Sequence, residues 1–76
     1  MDKIIAKGHI RVYDVDFDVV LKEVTTLQGF KYYQMVDVYE NCEHERGIPY
    51  TDKEDAINGL KKVVGKKYET TINYEP

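Results

Sequence analysis

Residues 4–21 read IIAKGHIRVYDVDFDVVL, and how this stretch folds back on itself decides the fold. Ile4, Ala6, Gly8, Ile10 and Val12 share one parity, with Lys7, His9 and Arg11 on the other. After Tyr13 and Asp14 the alternation resumes as Val15, Phe17, Val19 and Leu21, against Asp16, Asp18 and Lys22. A period of two is the signature of a half-buried strand. A two-residue turn at Tyr13–Asp14 sets Val12 opposite Val15, Ile10 opposite Phe17, Gly8 opposite Val19 and Ala6 opposite Leu21, all small or apolar. The same register brings Arg11 to Asp16 and His9 to Asp18, and opposite charges facing across strands are worth roughly 0.2–1 kcal/mol per pair. A one-residue slip would destroy both patterns together.

A third run, Phe30 to Tyr39, is rich in strand formers. Its even residues Phe30, Tyr32, Val36 and Val38 are assigned to the face shared with Ile4, Ile10, Val12, Phe17, Val19 and Leu21. Its odd residues Tyr33, Met35 and Tyr39 are assigned to the opposite face with Ile5, Tyr13 and Val20. The segment Val24 to Gly29 connects the second and third strands, with Gly29 as the bend. Asn41 to Tyr50 reads as a long loop.

The helix follows. Thr51-Asp-Lys-Glu54 has capping-box spacing, and Ala56, Ile57, Leu60, Val63 and Val64 recur at helical intervals. Acidic residues at 52, 54 and 55 and lysines at 61, 62, 66 and 67 complement the helix dipole. Gly65 is a natural stop. Beyond it Tyr68, Thr70, Ile72 and Tyr74 alternate again. The expected fold is α+β in two layers: a three-stranded antiparallel sheet on one helix, in the order β-β-β-α, four-stranded if 68–74 adds a strand.

Seventy-six residues suffice for one core, so residues 1–76 are read as a single domain. The single cysteine, Cys42, argues for a reducing compartment, since small secreted domains are usually stapled by several disulfides. No apolar run reaches membrane-spanning length, and the charged opening Met1-Asp-Lys does not resemble a signal peptide. The expected location is the cytoplasm, with no membrane partner.

The net charge of −3 disfavours nucleic acid as a ligand. Asp14, Asp16 and Asp18 have the opening spacing of a calcium loop, but Val19 stands where glycine is needed and Thr25 where a bidentate glutamate belongs. Cross-strand pairing explains them better, also against an acidic mimic of a phosphate backbone. Cys42 and His44 among Glu40, Glu43 and Glu45 lack the paired ligands of a zinc site. The same glutamates deny the thiol the positive environment that a thiolate nucleophile needs, which argues against it as a nucleophile. There is no glycine-rich phosphate loop. The helix lysines lack the stacking aromatics of a nucleic-acid platform. No cofactor, metal, small-molecule ligand or catalytic set is inferred.

What remains is binding. Tyrosine and methionine are enriched at interfaces, and contiguous apolar patches mark contacts. The candidate partner-binding residues are Tyr13, Val20, Tyr33, Met35 and Tyr39, on the sheet face turned from the helix. The expected function is a small protein-interaction module, a regulator or inhibitor. Base stacking or acidic mimicry, and a homodimer through the same face or an edge strand, are the alternatives.

Overall fold

The computed structural model describes residues 2–65 and the backbone of 72–74. Its elements are β1 (Asp2–Val12), β2 (Val15–Thr25), β3 (Lys31–Tyr39), β4 (Cys42–Tyr50), the helix α1 (Lys53–Val63) and the short β5 (Ile72–Tyr74). They form one antiparallel sheet in the order β4-β3-β2-β1-β5 with α1 on one face. The α+β, two-layer expectation therefore stands, with β4 added. The tail expectation is met only at 72–74, which pairs with β1; the rest of 68–74 lies outside the described residues.

The β1–β2 register is the one the alternation demands: Val12 pairs with Val15, Ile10 with Phe17, Gly8 with Val19, Ala6 with Leu21, and the charged pairs Arg11–Asp16 and His9–Asp18 follow. One irregularity intervenes. Ile4 pairs with Lys22 and Ala6 with Leu21, leaving Ile5 as the extra residue of a bulge. Bulges place two residues of one strand opposite one of its partner. Ile5 thus joins Ala6 in the core at 4% exposure, while Ile4 turns to the helix-free face at 39%. The expected assignments of these two isoleucines are reversed by that single inserted residue.

The second correction is larger. Thr25 pairs with Lys31, Leu21 with Met35 and Val20 with Val36. Odd residues of β2 therefore meet odd residues of β3. The connection is 26–30, closed by the Thr26 amide donating to the Phe30 carbonyl (2.8 Å), the Gly29 amide to the Thr26 carbonyl (3.0 Å) and the Phe30 amide to the Thr26 hydroxyl (3.1 Å). An odd number of loop residues preserves parity across the hairpin. Tyr33 and Met35, at 8% and 4% exposure, consequently lie under the helix. Tyr32, Val36 and Val38 occupy the other face. Phe30, expected in the core, is 72% exposed in the turn.

The third correction is β4 itself, read from sequence as a loop. Tyr39 pairs with Cys42 across a turn in which Glu40 (φ 49°) and Asn41 (φ 64°) are both left-handed. That is the backbone pattern of tight hairpins whose twist matches the strands. β4 is an edge strand among the described residues, mostly exposed and carrying Glu43, Glu45 and Arg46, and charge on an edge resists aggregation. It bulges strongly. Tyr33 pairs with Tyr50 and Met35 with Arg46, so Gly47, Ile48 and Pro49 stand against Gln34 alone.

α1 lays Ala56, Leu60 and Val64 against Ile5, Ala6, Ile10, Val19, Leu21, Tyr33 and Met35. The first residue outside the helix is Asp52, not Thr51, and its carboxylate accepts from the amides of Glu54 (2.8 Å) and Asp55 (3.3 Å). A carboxylate there satisfies orphan amides and complements the dipole as well, so the cap settles one residue later. Two glycines set how closely the layers approach. A Cβ at Gly8 would collide with Val64, and one at Gly59 would lie 2.9 Å from Cζ of Tyr50.

Candidate protein-docking face

One helix covers one face of the sheet, and what the other face carries follows from register. Val20 of β2 pairs with Val36 of β3, and both are 5% exposed. Val24 pairs with Tyr32 and Asp18 with Val38, while Ile4 approaches from β1. These residues form an apolar floor, and among the described residues no helix packs on it. Valine and isoleucine on this row serve strand formation as well as the surface, because branched side chains pack well on a pleated sheet.

A single ion pair straps the floor. Lys22 of β2 reaches over β3 to Glu43 of β4, with Nζ 2.7 Å from Oε1. Lys22 pairs with Gln34 and Glu43 with Val38, so the strap crosses β3 at Val36, between them. The Glu43 contact holds the Lys22 ammonium above its ordinary pKa, against the opposing effect of desolvation. On either side of the strap the surface is concave. One hollow of about 330 Å³ is lined by Ile4, Lys7, Asp18, Val20 and Val38. The other, of about 170 Å³, is lined by Asp2, Val24, Tyr32, Gln34, Val36 and Glu45. Lys22 and Glu43 border both.

The floor of the second hollow is fixed by Gln34. Its side chain is buried, and its amide nitrogen donates toward the carbonyls of Met35 (3.0 Å), Arg46 (3.3 Å) and Gly47 (3.3 Å). These carbonyls lie at the β4 bulge, where Met35 pairs with Arg46 and Gly47 follows. On the strand's helix-side row Arg46 reaches Asp37, Nε to Oδ1 2.7 Å, which ties the start of the bulge to β3.

Toward the β1–β2 turn the same face becomes polar. His9 sits between two carboxylates, with Nδ1 2.9 Å from Asp18 Oδ1 and Nε2 3.1 Å from Asp16 Oδ1. Lys7 stands 3.5 Å from Asp18 Oδ2 and Arg11 Nε 3.9 Å from Asp16 Oδ1. Hydrogen bonds to Asp18 first and Asp16 second raise the His9 pKa, and the His9 bond lowers that of Asp18. Two of the three alternating aspartates are thus matched by cations in the register the sequence predicts. Among the described residues no group of three or more acidic, histidine or cysteine side chains is arranged to hold a metal, and Cys42 is free and exposed.

Of the five residues expected to bind a partner, only Val20 lies on this floor. Tyr33 and Met35 are core. Tyr13 is 93% exposed at the β1–β2 turn, and Tyr39 is 43% exposed at the end of β3, on the helix-side parity. The structure does not gather the five into one surface. Ile4, Lys22, Val24, Tyr32, Val36 and Val38 belong to the face and were not singled out for it. The signal that could have found them is the loop 26–30: once its length is known, the parity of β2 dictates that of β3.

Among the described residues no helix is long and apolar enough to cross a membrane. Comparison with family models, with curated proteins and with solved structures returns no match, so this face is read from its own residues.

Proposed function

We propose that this chain is a small non-catalytic protein-interaction module of the cytoplasm, a regulator or inhibitor, that docks a protein partner on the sheet face opposite α1. The observation that carries the reading is the apolar row of exposed Ile4 and half-buried Val24, Tyr32 and Val38 around the buried Val20 and Val36, with the only described helix packed on the other side. A contiguous apolar patch rimmed by charges is the usual anatomy of a protein contact.

The charges favour protein over nucleic acid as the partner. Asp16 and Asp18 are occupied by His9, Arg11 and Lys7, which weakens them as a phosphate mimic. The remaining acidic residues near Tyr32 would repel a nucleic-acid backbone. Self-association through the β4 edge is opposed as well. A two-fold antiparallel pairing of β4 with its copy matches residues of like parity, so registers centred on the regular stretch set Glu43 against Glu45 or Glu45 against itself. Like charges directly opposite destabilise a pair of strands.

The test compares proteins captured from a native extract by three forms of the chain: wild type, Tyr32→Ser with Val38→Ser, and Lys53→Ser with Lys61→Ser on the outer side of the helix. Circular dichroism checks that each is folded. A partner retained by wild type and the helix variant but lost by the sheet variant supports the reading. A partner that the sheet variant keeps contradicts it.

A further inference from the structure

Resting on that reading, we infer that the hollow between Tyr32 and Glu45 receives a cationic side chain, an arginine or lysine carried by an otherwise apolar strand of the partner protein. Charges along the register are matched except at this hollow. On the helix-free face Lys7 engages Asp18, Arg11 engages Asp16 and Lys22 engages Glu43. Each fixed cation there is matched. Asp2 and Glu45 are left over: both are exposed, and among the described residues neither makes an ion pair. Asp2 acts on Lys22 only through space.

These two surplus carboxylates are not scattered. They border the same hollow, whose floor is Val24, Val36 and the ring of Tyr32. Apolar floor, aromatic ring and unmatched negative charge together fit a side chain with an aliphatic stem and a positive head. Long basic side chains bury their methylene stems while the charge stays at the rim. A guanidinium can also stack on an aromatic face while it donates to a carboxylate. An anionic head would add to the two unmatched charges, and a purely apolar one would leave them unanswered. The other hollow, with Lys7 and Asp18 already paired, offers the partner an apolar contact without selecting a sign.

The test uses the full chain, isotopically labelled, and two short capped peptides of alternating valine and arginine, identical except that citrulline replaces arginine in the second. Citrulline keeps the shape and removes the charge. The inference predicts that the arginine peptide moves the amide resonances of Val24, Tyr32, Gln34, Val36 and Glu45, binds at least tenfold more tightly than the citrulline peptide, and weakens as salt is raised. Asp2→Asn with Glu45→Gln should remove the tenfold preference while the protein stays folded. Equal binding of both peptides at this face would overturn the inference and leave the docking face standing. Shifts confined to the acidic start of α1 would overturn it as non-specific attraction. Absence of binding by either peptide would also overturn it, and the capture experiment then judges the docking face separately.

Discussion

Gly8 of β1 lies beneath Val64 at the end of α1, so close that a methyl group on Gly8 would collide with the Val64 side chain, whose Cβ is 3.3 Å from that position. Both residues are buried. Gly8→Ala is expected to cost about 1–3 kcal/mol through overpacking, measured by urea unfolding. Val64→Ala should relieve part of that, so the double variant loses less than the two single losses combined. A neutral Gly8→Ala would show that the layers are further apart than described.

Tyr13 holds a left-handed backbone, φ 56°, at the tip of the β1–β2 turn, with its side chain 93% exposed. It gains little from packing and bears the steric cost of that conformation, about 1–2 kcal/mol for an L residue. Tyr13→Gly or Tyr13→Asn should therefore stabilise the protein by up to about 1 kcal/mol. Thermal unfolding checks it, and a drop in midpoint for both variants would mean the tyrosine makes a contact that outweighs its backbone.

Gln34 is the buried amide that serves the carbonyls at the β4 bulge. Gln34→Leu fills similar space but removes the donor, and an unsatisfied buried carbonyl costs about 1–3 kcal/mol. The loss should appear in urea unfolding together with faster amide exchange in residues 46–50. Unchanged exchange there would remove the role assigned to Gln34.

The His9 clasp gives a pH dependence with a definite sign. His9 has a raised pKa, so its contribution to stability is full below the ordinary value of 6.5 and is lost as pH rises through the folded value. Asp18 has a lowered pKa, so its contribution is present above the ordinary 3.8 and is lost as pH falls through the folded value. The pair supports the hairpin between those limits. Proton NMR of the imidazole should give a His9 midpoint above 6.5, shifted down by Asp18→Asn; a midpoint at or below 6.5 in the wild type would refute the clasp.

The β1–β2 hairpin was legible because its two parities differ in chemistry: apolar on one row, Lys7, His9, Arg11, Asp16 and Asp18 on the other. β3 is apolar on both rows, with Tyr33 and Met35 on one and Tyr32, Val36 and Val38 on the other, so composition does not say which row meets the helix. The loop 26–30 decides that, and its closure on Thr26 has no strong sequence signature. β4 was illegible for the opposite reason: CEHERGIPY lacks apolar alternation because an edge strand has little to bury. The isoleucines at 4 and 5 depend on a bulge that neither residue announces. The candidate site inherited these errors, since a face is only as well assigned as the strand phases that build it.

The phase of β3 is what the docking face rests on, and methyl NOE spectroscopy measures it most directly. The Met35 ε-methyl carbon lies 3.5 Å from where a Cβ on Gly59 would stand, so NOEs from that methyl to the Gly59 α-protons and the Tyr50 ring are predicted, with none from Val36 or Val38 to α1. NOEs from the Val36 and Val38 methyls to Ala56 or Leu60, with Met35 free of the helix, would contradict the account and turn the proposed contact surface inward.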